Sequence, residues 1–222
     1  MQCYLVRHAQ TTWNGENRLQ GHSDQPLNAF GRQQAQRVAA YFAELAAQGR
    51  ELDMLYTSPL QRSHQTAQAI AAETGLRIHV EPALAEISLG AWEGLTPEEI
   101  DARFGGGYQQ WKAASSQVRI PDGEPTEQFH RRVHEAFARI AQAHRERGER
   151  DIVLVTHGGV IASLLARWLN ADYDRFLRRL ALENAGVSAV DSKQQPPHVL
   201  WVNATHHLTP RAGQPKQPFV LP

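Results

Sequence analysis

The 222-residue chain contains a single cysteine, Cys3, and lacks any long apolar run. One cysteine excludes an intramolecular disulfide and a thiolate metal cluster, and its place in the first predicted strand indicates a buried, inert thiol. No segment approaches the roughly 20 consecutive apolar residues that cross a bilayer. The first residues enter an apolar strand without the basic and apolar regions of a secretory signal. We therefore expect a cytoplasmic protein with no membrane partner.

An excess of charge of either sign is also lacking, since 23 basic residues balance 23 acidic ones. This balance disfavours a nucleic-acid partner, although a local basic pocket stays compatible with it. Hydrophobic residues make up 41% of the chain, which is enough for a sizeable core. The length fits one domain with an inserted cap.

Strand-like apolar runs alternate with amphipathic helical segments along most of the chain. The predicted strands cover residues 4–6, 54–57, 76–80, 152–155, 186–190 and 199–203. The predicted helices cover about 29–48, 60–74, 126–147 and 158–169, with a further short helix that starts near residue 96. This order predicts an α/β fold, a three-layer α/β/α sandwich around a mostly parallel sheet.

The predicted domain organisation has three parts. One domain is expected over residues 1–208. Within it, an inserted cap of helix and loop at about 90–147 is expected to lie above the carboxyl edge of the sheet. A proline-rich tail is expected over 209–222. No segment demands an oligomer, and a homodimer is left open.

Reactive side chains occur at or just beyond the carboxyl ends of several predicted strands. These ends converge on one crevice in open α/β sheets, whatever their separation along the chain. The residues concerned are Arg7, His8, Arg62, Glu86, His157 and Gly158.

This set contains two guanidinium groups, two imidazoles and a carboxyl group, which suits phosphoryl chemistry. Arginine presents a planar fork to phosphate oxygens, and the helix after His157 adds backbone donors. One imidazole must be neutral to attack phosphorus, and neighbouring cations help to keep it neutral. The other imidazole can donate to phosphoryl oxygens, and Glu86 can protonate a leaving alkoxide. The set predicts phosphoryl transfer through a phosphohistidine, with no metal and no cofactor.

The same residues lie within a longer series of motifs that resembles the histidine phosphatase superfamily. The branch is the one that contains cofactor-dependent phosphoglycerate mutases and related small phosphatases. The resemblance covers about residues 1–206. The motifs are Arg7-His8-Ala9, Thr12-Trp13-Asn14, Gln20-Gly21, Asp24-Gln25-Pro26-Leu27-Asn28 with Gly31, Tyr56-Thr57-Ser58-Pro59-Leu60-Gln61-Arg62-Ser63 with Thr66-Ala67, Glu86-Ile87-Ser88-Leu89-Gly90-Ala91-Trp92-Glu93-Gly94, and Thr156-His157-Gly158-Gly159.

The resemblance implies a role for each matching residue. His8 is expected to be the nucleophile, and Glu86 the proton donor and then the base that activates water. The expected phosphoryl clamp is Arg7, Arg62 and His157. The expected substrate-binding residues are Asn14, Gln20, Gly21 and Gly158. Ala9 departs from the glycine that is usual in the family, which predicts a small adjustment of the loop backbone.

The resemblance leaves three activities open. We favour a phosphatase that acts on a small phosphorylated metabolite. A phosphoglycerate mutase is the main alternative, because the chemistry alone does not separate hydrolysis from phosphoryl transfer. Mutases of this family usually carry an adjacent arginine pair in a larger insertion, whereas the pair Arg131 and Arg132 lies within the long predicted helix and need not face the pocket. The third reading is a catalytically dead module that binds a phosphorylated ligand.

The substrate is left among phosphorylated sugar acids, sugar phosphates, phosphoserine and nucleoside-like phosphates. Selectivity is expected from the first loop and the insertion, and Arg103 and Arg119 are candidates for a second anionic group. The other candidate lining residues are His22, Tyr108 and Trp111.

His130 and His134 are four residues apart on a predicted helix, a spacing that can chelate a metal. No carboxylate or cysteine accompanies them in the sequence, so solvated positions on the helix surface are the preferred interpretation.

Overall fold

The computed structural model describes residues 1–148 and 150–209, and nearly all of the predicted tail lies outside these ranges. Six strands form one sheet in the order β3-β2-β4-β1-β5-β6. Their bounds are β1 Gln2–Arg7, β2 Leu52–Thr57, β3 Ile78–Val80, β4 Asp151–Thr156, β5 Val187–Asp191 and β6 His198–Ala204. The first four strands are parallel to one another, and β5 and β6 are antiparallel additions at one side. The predicted mostly parallel sheet is confirmed.

Strand β1 lies in the middle of the sheet and is covered on both faces. It pairs in parallel with β4 from Cys3 opposite Ile152 to Arg7 opposite Thr156. Alternate β1 residues face opposite layers, which explains a continuous apolar run rather than a polar–apolar alternation. Cys3 and Leu5 join one core, while Tyr4 and Val6 join the other.

Four long helices cover the two faces of the sheet. Helices α2 (Ala29–Ala47) and α3 (Gln61–Thr74) bury their apolar stripes on one face, and α6 (Thr126–Glu146) and α7 (Gly158–Trp168) cover the other. The predicted three-layer sandwich is therefore confirmed. Helix α2 begins where predicted, because the Asn28 side chain accepts a hydrogen bond from the amide of Gly31 at 2.7 Å.

Short helices and loops lie outside the sandwich. Their bounds are α1 Thr12–Gly15, α4 Pro97–Arg103, α5 Gly107–Ala113 and α8 Tyr173–Leu177. Thr96 and Glu99 form a reciprocal capping box that starts α4, as their spacing predicts. Helix α6 belongs to the sheet-covering layer, so the part of the inserted segment outside the sandwich ends near residue 125. Helices α1, α5 and α8 were not predicted. None of the helices in the described ranges combines the length and apolarity needed to span a membrane.

Candidate active site

The reactive side chains are brought together by the parallel strands, as the topology requires. Arg7 ends β1 and His8 follows it, while His157 follows β4 and caps the start of α7. The amide of His8 donates to the carbonyl of Thr156 at 2.8 Å, so the two strand ends are tied directly. Arg62 lies in the first turn of α3, after β2.

The His8 imidazole is held in one tautomer. The side chain is 3% exposed, and its Nδ1 lies 2.8 Å from the carbonyl oxygen of Ala9. A carbonyl can only accept, so Nδ1 carries the proton and Nε2 keeps its lone pair. The amide of Ala9 donates to Thr66 Oγ1 at 3.0 Å, and Ala9 is fully buried. The methyl group that departs from the family pattern is therefore accommodated in the core.

Both active-site imidazoles are kept neutral by their surroundings. Burial lowers the pKa of His8 well below its ordinary value, and the Arg62 and Arg7 guanidinium groups lower it further. The hydrogen bond to Ala9 acts in the opposite direction. Burial likewise lowers the pKa of His157, again assisted by Arg62. A neutral His8 is the form that can attack phosphorus.

His157 lies against His8, with the ring centroids 5.2 Å apart. Its Nε2 is 2.8 Å from Ser58 Oγ, and that oxygen already accepts from the amide of Leu60 at 3.3 Å. The Ser58 hydroxyl proton is thus available to His157 Nε2, which places the imidazole proton on Nδ1. His157 Nδ1 is buried and has no partner among the described residues.

Arg62 is a buried cation, and Arg7 is a largely buried cation at the same site. Arg62 is 1% exposed and donates to the carbonyls of Gly21 at 2.7 Å and Ser23 at 3.0 Å, while Arg7 donates to the carbonyl of Leu182. Burial lowers the pKa of Arg62 to about 10, which still leaves a cation at neutral pH. The Nε atoms of both guanidinium groups are buried without a partner in the described part of the chain. Unpartnered buried donors are rare and call for an acceptor, which the oxygens of a bound anion would provide.

Glu86 is held at the start of α7 by backbone donors. Its Oε1 accepts from its neighbour Ile87 at 3.0 Å, and its Oε2 accepts from the amide of Gly159 at 3.1 Å. A Cβ at position 159 would lie 2.3 Å from Glu86 Oε1, so this contact requires glycine. One of the helix-terminal amides predicted to face the phosphoryl group is thus used by Glu86.

Glu93, the second carboxylate of the motif that begins at Glu86, has a structural function. It accepts from the amides of His22 at 2.8 Å and Leu89 at 3.0 Å, and from Ser23 Oγ at 2.7 Å. Although burial raises the pKa of Glu93, these hydrogen bonds outweigh it and the net shift is downward. Glu93 therefore fastens the loop that carries Gly21.

The predicted site residues other than His157 meet in one cavity of about 510 Å³. Asn14 Oδ1 accepts from the amide of Thr11 at 3.0 Å, which leaves the amide NH₂ of Asn14 for a ligand. His157 is fully buried behind His8. The predicted residues on the cavity wall are Arg7, His8, Asn14, Gln20, Gly21, Arg62, Glu86 and Gly158.

The predictions for the substrate-facing residues are met in part. Tyr108 and Trp111 line the cavity, whereas Arg103 and Arg119 are exposed and are not among its lining residues. The expectation that these two arginines bind a second anionic group is therefore not supported by their placement. His22 Nε2 lies 2.8 Å from the carbonyl of Glu86, so this side chain braces the catalytic loop.

The segment from 173 to 185 forms a wall of the cavity that sequence reasoning missed. Asn184 Nδ2 donates to the carbonyl of His8 at 3.0 Å and lies 3.4 Å from Asn14 Oδ1. The amide of Ala185 also donates to the carbonyls of Arg7 and His8, at 3.0 and 3.2 Å. The position of Asn184 in the chain could have indicated this contact. Asn184 precedes β5, and β5 is antiparallel to β1, so the start of β5 lies beside the end of β1.

His130 and His134 are half-buried and contact a buried serine on α7, so they are less solvated than predicted. His130 Nδ1 lies 2.7 Å from Ser163 Oγ, and His134 Nε2 lies 3.0 Å from it. Burial lowers the pKa of His130 to about 4. These rings line a separate cavity of about 960 Å³ between α6 and α7. Across the described residues, no group of three His, Cys, Asp or Glu side chains is arranged to hold a metal ion.

A neutral, buried imidazole beside two buried guanidinium groups at the carboxyl edge of an α/β sheet defines an enzyme that acts on phosphoryl groups. The model of the histidine phosphatase superfamily, branch 1, matches residues 3–205. The chain belongs to this superfamily, as the sequence motifs indicated.

Relatives and solved structures agree with this assignment. The probable phosphoglycerate mutase GpmB of Escherichia fergusonii is 36% identical over 199 residues, which is 87% of this chain and 86% of that protein. Bacillus stearothermophilus YhfR superimposes with a TM-score of 0.84 at 28% identity, over 93% of this chain and 98% of that one. A mycobacterial glucosyl-3-phosphoglycerate phosphatase in complex with VO₃ superimposes with a TM-score of 0.77 at 27% identity, over 91% and 99%. The enzyme class is therefore that of phosphatases and phosphoglycerate mutase-like proteins.

Proposed function

We propose that this protein is a phosphatase that hydrolyses a small phosphorylated metabolite through a phosphohistidine on His8, without a metal ion. The observation that carries the proposal is the set of buried, unpartnered donors around His8 within the described residues: Arg7 Nε, Arg62 Nε and His157 Nδ1. A phosphoryl group bound against His8 would give each of these donors an acceptor oxygen. Arg7 and Arg62 would supply the charge that metal ions supply elsewhere.

In the first step His8 Nε2 attacks phosphorus, and the bond from phosphorus to the ester oxygen breaks. The leaving alkoxide takes a proton from the Glu86 carboxyl group, and the alcohol departs. Arg7, Arg62 and His157 hold the three equatorial oxygens as charge moves onto them. The Nδ1–H of His8 keeps its bond to Ala9 throughout, which stabilises the positive charge that the ring gains.

In the second step the Glu86 carboxylate takes a proton from water, and the oxygen of that water attacks the phosphohistidine. The bond from nitrogen to phosphorus breaks, inorganic phosphate leaves, and His8 Nε2 regains its lone pair. Glu86 is protonated again and ready for the next ester.

The adjacent arginine pair on α6 does not face the phosphoryl site. Arg132 donates to both oxygens of Glu124 at 2.7 Å and to the carbonyls of Ala83, Ala85 and Glu86. Arg131 lines the separate cavity between α6 and α7. The arginine pair therefore offers no second anion site for a phosphoglycerate, which favours hydrolysis over transfer.

The test traps the intermediate and follows its fate. A ³²P-labelled phosphomonoester is mixed with the enzyme in EDTA and quenched in alkali, and we expect an acid-labile, alkali-stable label in the wild type that is absent from His8→Asn. In a second arm, 3-phosphoglycerate with 2,3-bisphosphoglycerate should release phosphate with little isomerisation. Rapid isomerisation would assign a mutase, and loss of the label in EDTA would show that a metal is required.

A dead binding module is separated from an enzyme by the same preparation. Hydrolysis of p-nitrophenyl phosphate that vanadate suppresses would exclude the dead module. Phosphate binding without any turnover would establish it.

A further inference from the structure

Large apolar side chains line the cavity beyond the phosphoryl site, together with the polar side chains of Gln10, Asn17 and Gln34. We call the apolar members of this set the apolar wall: Trp13, Leu19, Phe30, Tyr108, Leu177 and Leu180. They come from separate parts of the chain, namely α1 and the loop after it, the start of α2, α5, and α8 with the turn after it. Each of them is half-buried. Their convergence on one concave surface is typical of a ligand site, since isolated apolar side chains on a surface carry no such meaning.

The arginine that lies beside the apolar wall, Arg18, is already neutralised. Arg18 donates to Glu99 at 2.8 Å, to Glu16 at 3.1 Å and to the carbonyl of Gly94 at 2.7 Å. Its charge is therefore balanced by two carboxylates. The carboxylate of Glu183 also lines this part of the cavity, and its negative charge partly offsets the lowering of the Arg7 pKa by burial. Among the described residues that line the cavity, the other arginines are Arg7 and Arg62 of the phosphoryl site, so no further arginine or lysine lines it beside the apolar wall.

We propose that the alcohol part of the substrate is uncharged and apolar, an aromatic ring or a branched aliphatic group that packs against the apolar wall. This inference rests on the proposed phosphatase function and adds the class of leaving group to it. A carboxylate in the same place would lose its water without gaining a cation, and it would face Glu183. Phosphorylated sugar acids are therefore poor substrates for this chain, although the reaction at phosphorus is the same.

The test compares two esters that break the same bond and differ by one charge, phenyl phosphate and 4-carboxyphenyl phosphate. We expect kcat/KM to favour phenyl phosphate by about 10-fold or more, because the apolar wall leaves the added carboxylate unpaired. Equal values, or a preference for the carboxylated ester, would overturn the proposal.

A positive charge introduced into the apolar wall should abolish most of the preference for phenyl phosphate. In Leu180→Arg we expect the ratio of the two kcat/KM values to fall by about 10-fold, since the new cation pairs with the carboxylate. Leu169→Arg is the matched control, because Leu169 is 49% exposed and does not line the cavity. A ratio that changes equally in both variants would show that general charge, and not the apolar wall, sets the preference.

Binding separates failure of this inference from failure of the proposed function. Calorimetric titration of the inactive His8→Ala variant measures the affinities of both esters without turnover. Tighter binding of phenyl phosphate supports the apolar wall even if the wild type proves to be a mutase. If His8→Ala binds both esters equally and the wild type hydrolyses them, the inference about the apolar wall is wrong and the proposed function stands.

Discussion

The two ends of the active-site cavity are built in contrasting ways. The phosphoryl end is made of buried charged and polar side chains at the ends of β1, β2 and β4, where backbone pairing fixes their positions. The apolar wall is made of half-buried side chains on short helices and loops. The sheet therefore determines the reaction, whereas the peripheral segments determine which alcohol can leave. Substrate preference can change in such a fold without disturbing the chemistry.

The largest expected effect concerns the phosphoryl end. Replacing His8 with Ala removes the nucleophile, and we expect kcat to fall by at least about 10⁴-fold, as when other covalent nucleophiles are removed. The melting temperature should change little, since the ring makes one side-chain hydrogen bond in the described structure. Steady-state hydrolysis of p-nitrophenyl phosphate with a parallel thermal melt is the measurement. Activity within tenfold of the wild type would contradict the role of His8.

Glu86→Gln should reduce the rate of phosphohistidine formation by about 10²–10⁴-fold for alkyl phosphates, which need a proton on the leaving oxygen. The loss should be much smaller for p-nitrophenyl phosphate, whose leaving group is stable as an anion. Rapid-quench measurement of the labelled intermediate isolates this step. Glu93→Gln is the control on the same loop, and it should lower the melting temperature while it keeps the wild-type dependence on leaving group.

Asn184→Ala should lower kcat by about 10-fold with little change in KM, in line with other residues that support a catalytic side chain. The reason is that Asn184 holds the backbone of His8 and the oxygen of Asn14, so its loss loosens the nucleophile. Asn170→Gly, at an exposed left-handed position away from the cavity, is the control. Equal effects of the two variants on kcat would remove the positioning role.

The smallest effect is a shift in a titration curve. Because Arg62 lowers the pKa of His8, Arg62→Gln should raise that pKa toward its ordinary value of 6.5. Burial, the larger cause, remains, so the recovery should be incomplete. NMR titration of the His8 ring should show no protonation near pH 6 in the wild type and a midpoint at higher pH in the variant. An unchanged midpoint would mean that burial alone keeps His8 neutral.

The contrast between the two ends also explains what the sequence could predict. The β1, β2 and β4 motifs are short and contiguous, so Arg7, His8, Arg62 and His157 could be placed from strand ends and topology alone. The apolar wall is assembled from distant segments without periodicity, which is why Leu177 and Leu180 were missed. Arg103 and Arg119 were wrongly expected at the cavity because residue type alone does not show which way a loop turns.

The position of β1 between β4 and β5 has a consequence for synthesis on the ribosome. The strand that carries Arg7 precedes the other strands of the sheet, yet both of its neighbours come from the last third of the chain. Its pairing is therefore entirely long-range, the slowest kind of contact to form. A nascent chain that ends before β4 already contains His8, but neither neighbour of β1 is present to pair with that strand. Enzymatic activity therefore indicates that nearly the whole domain has left the ribosome and folded.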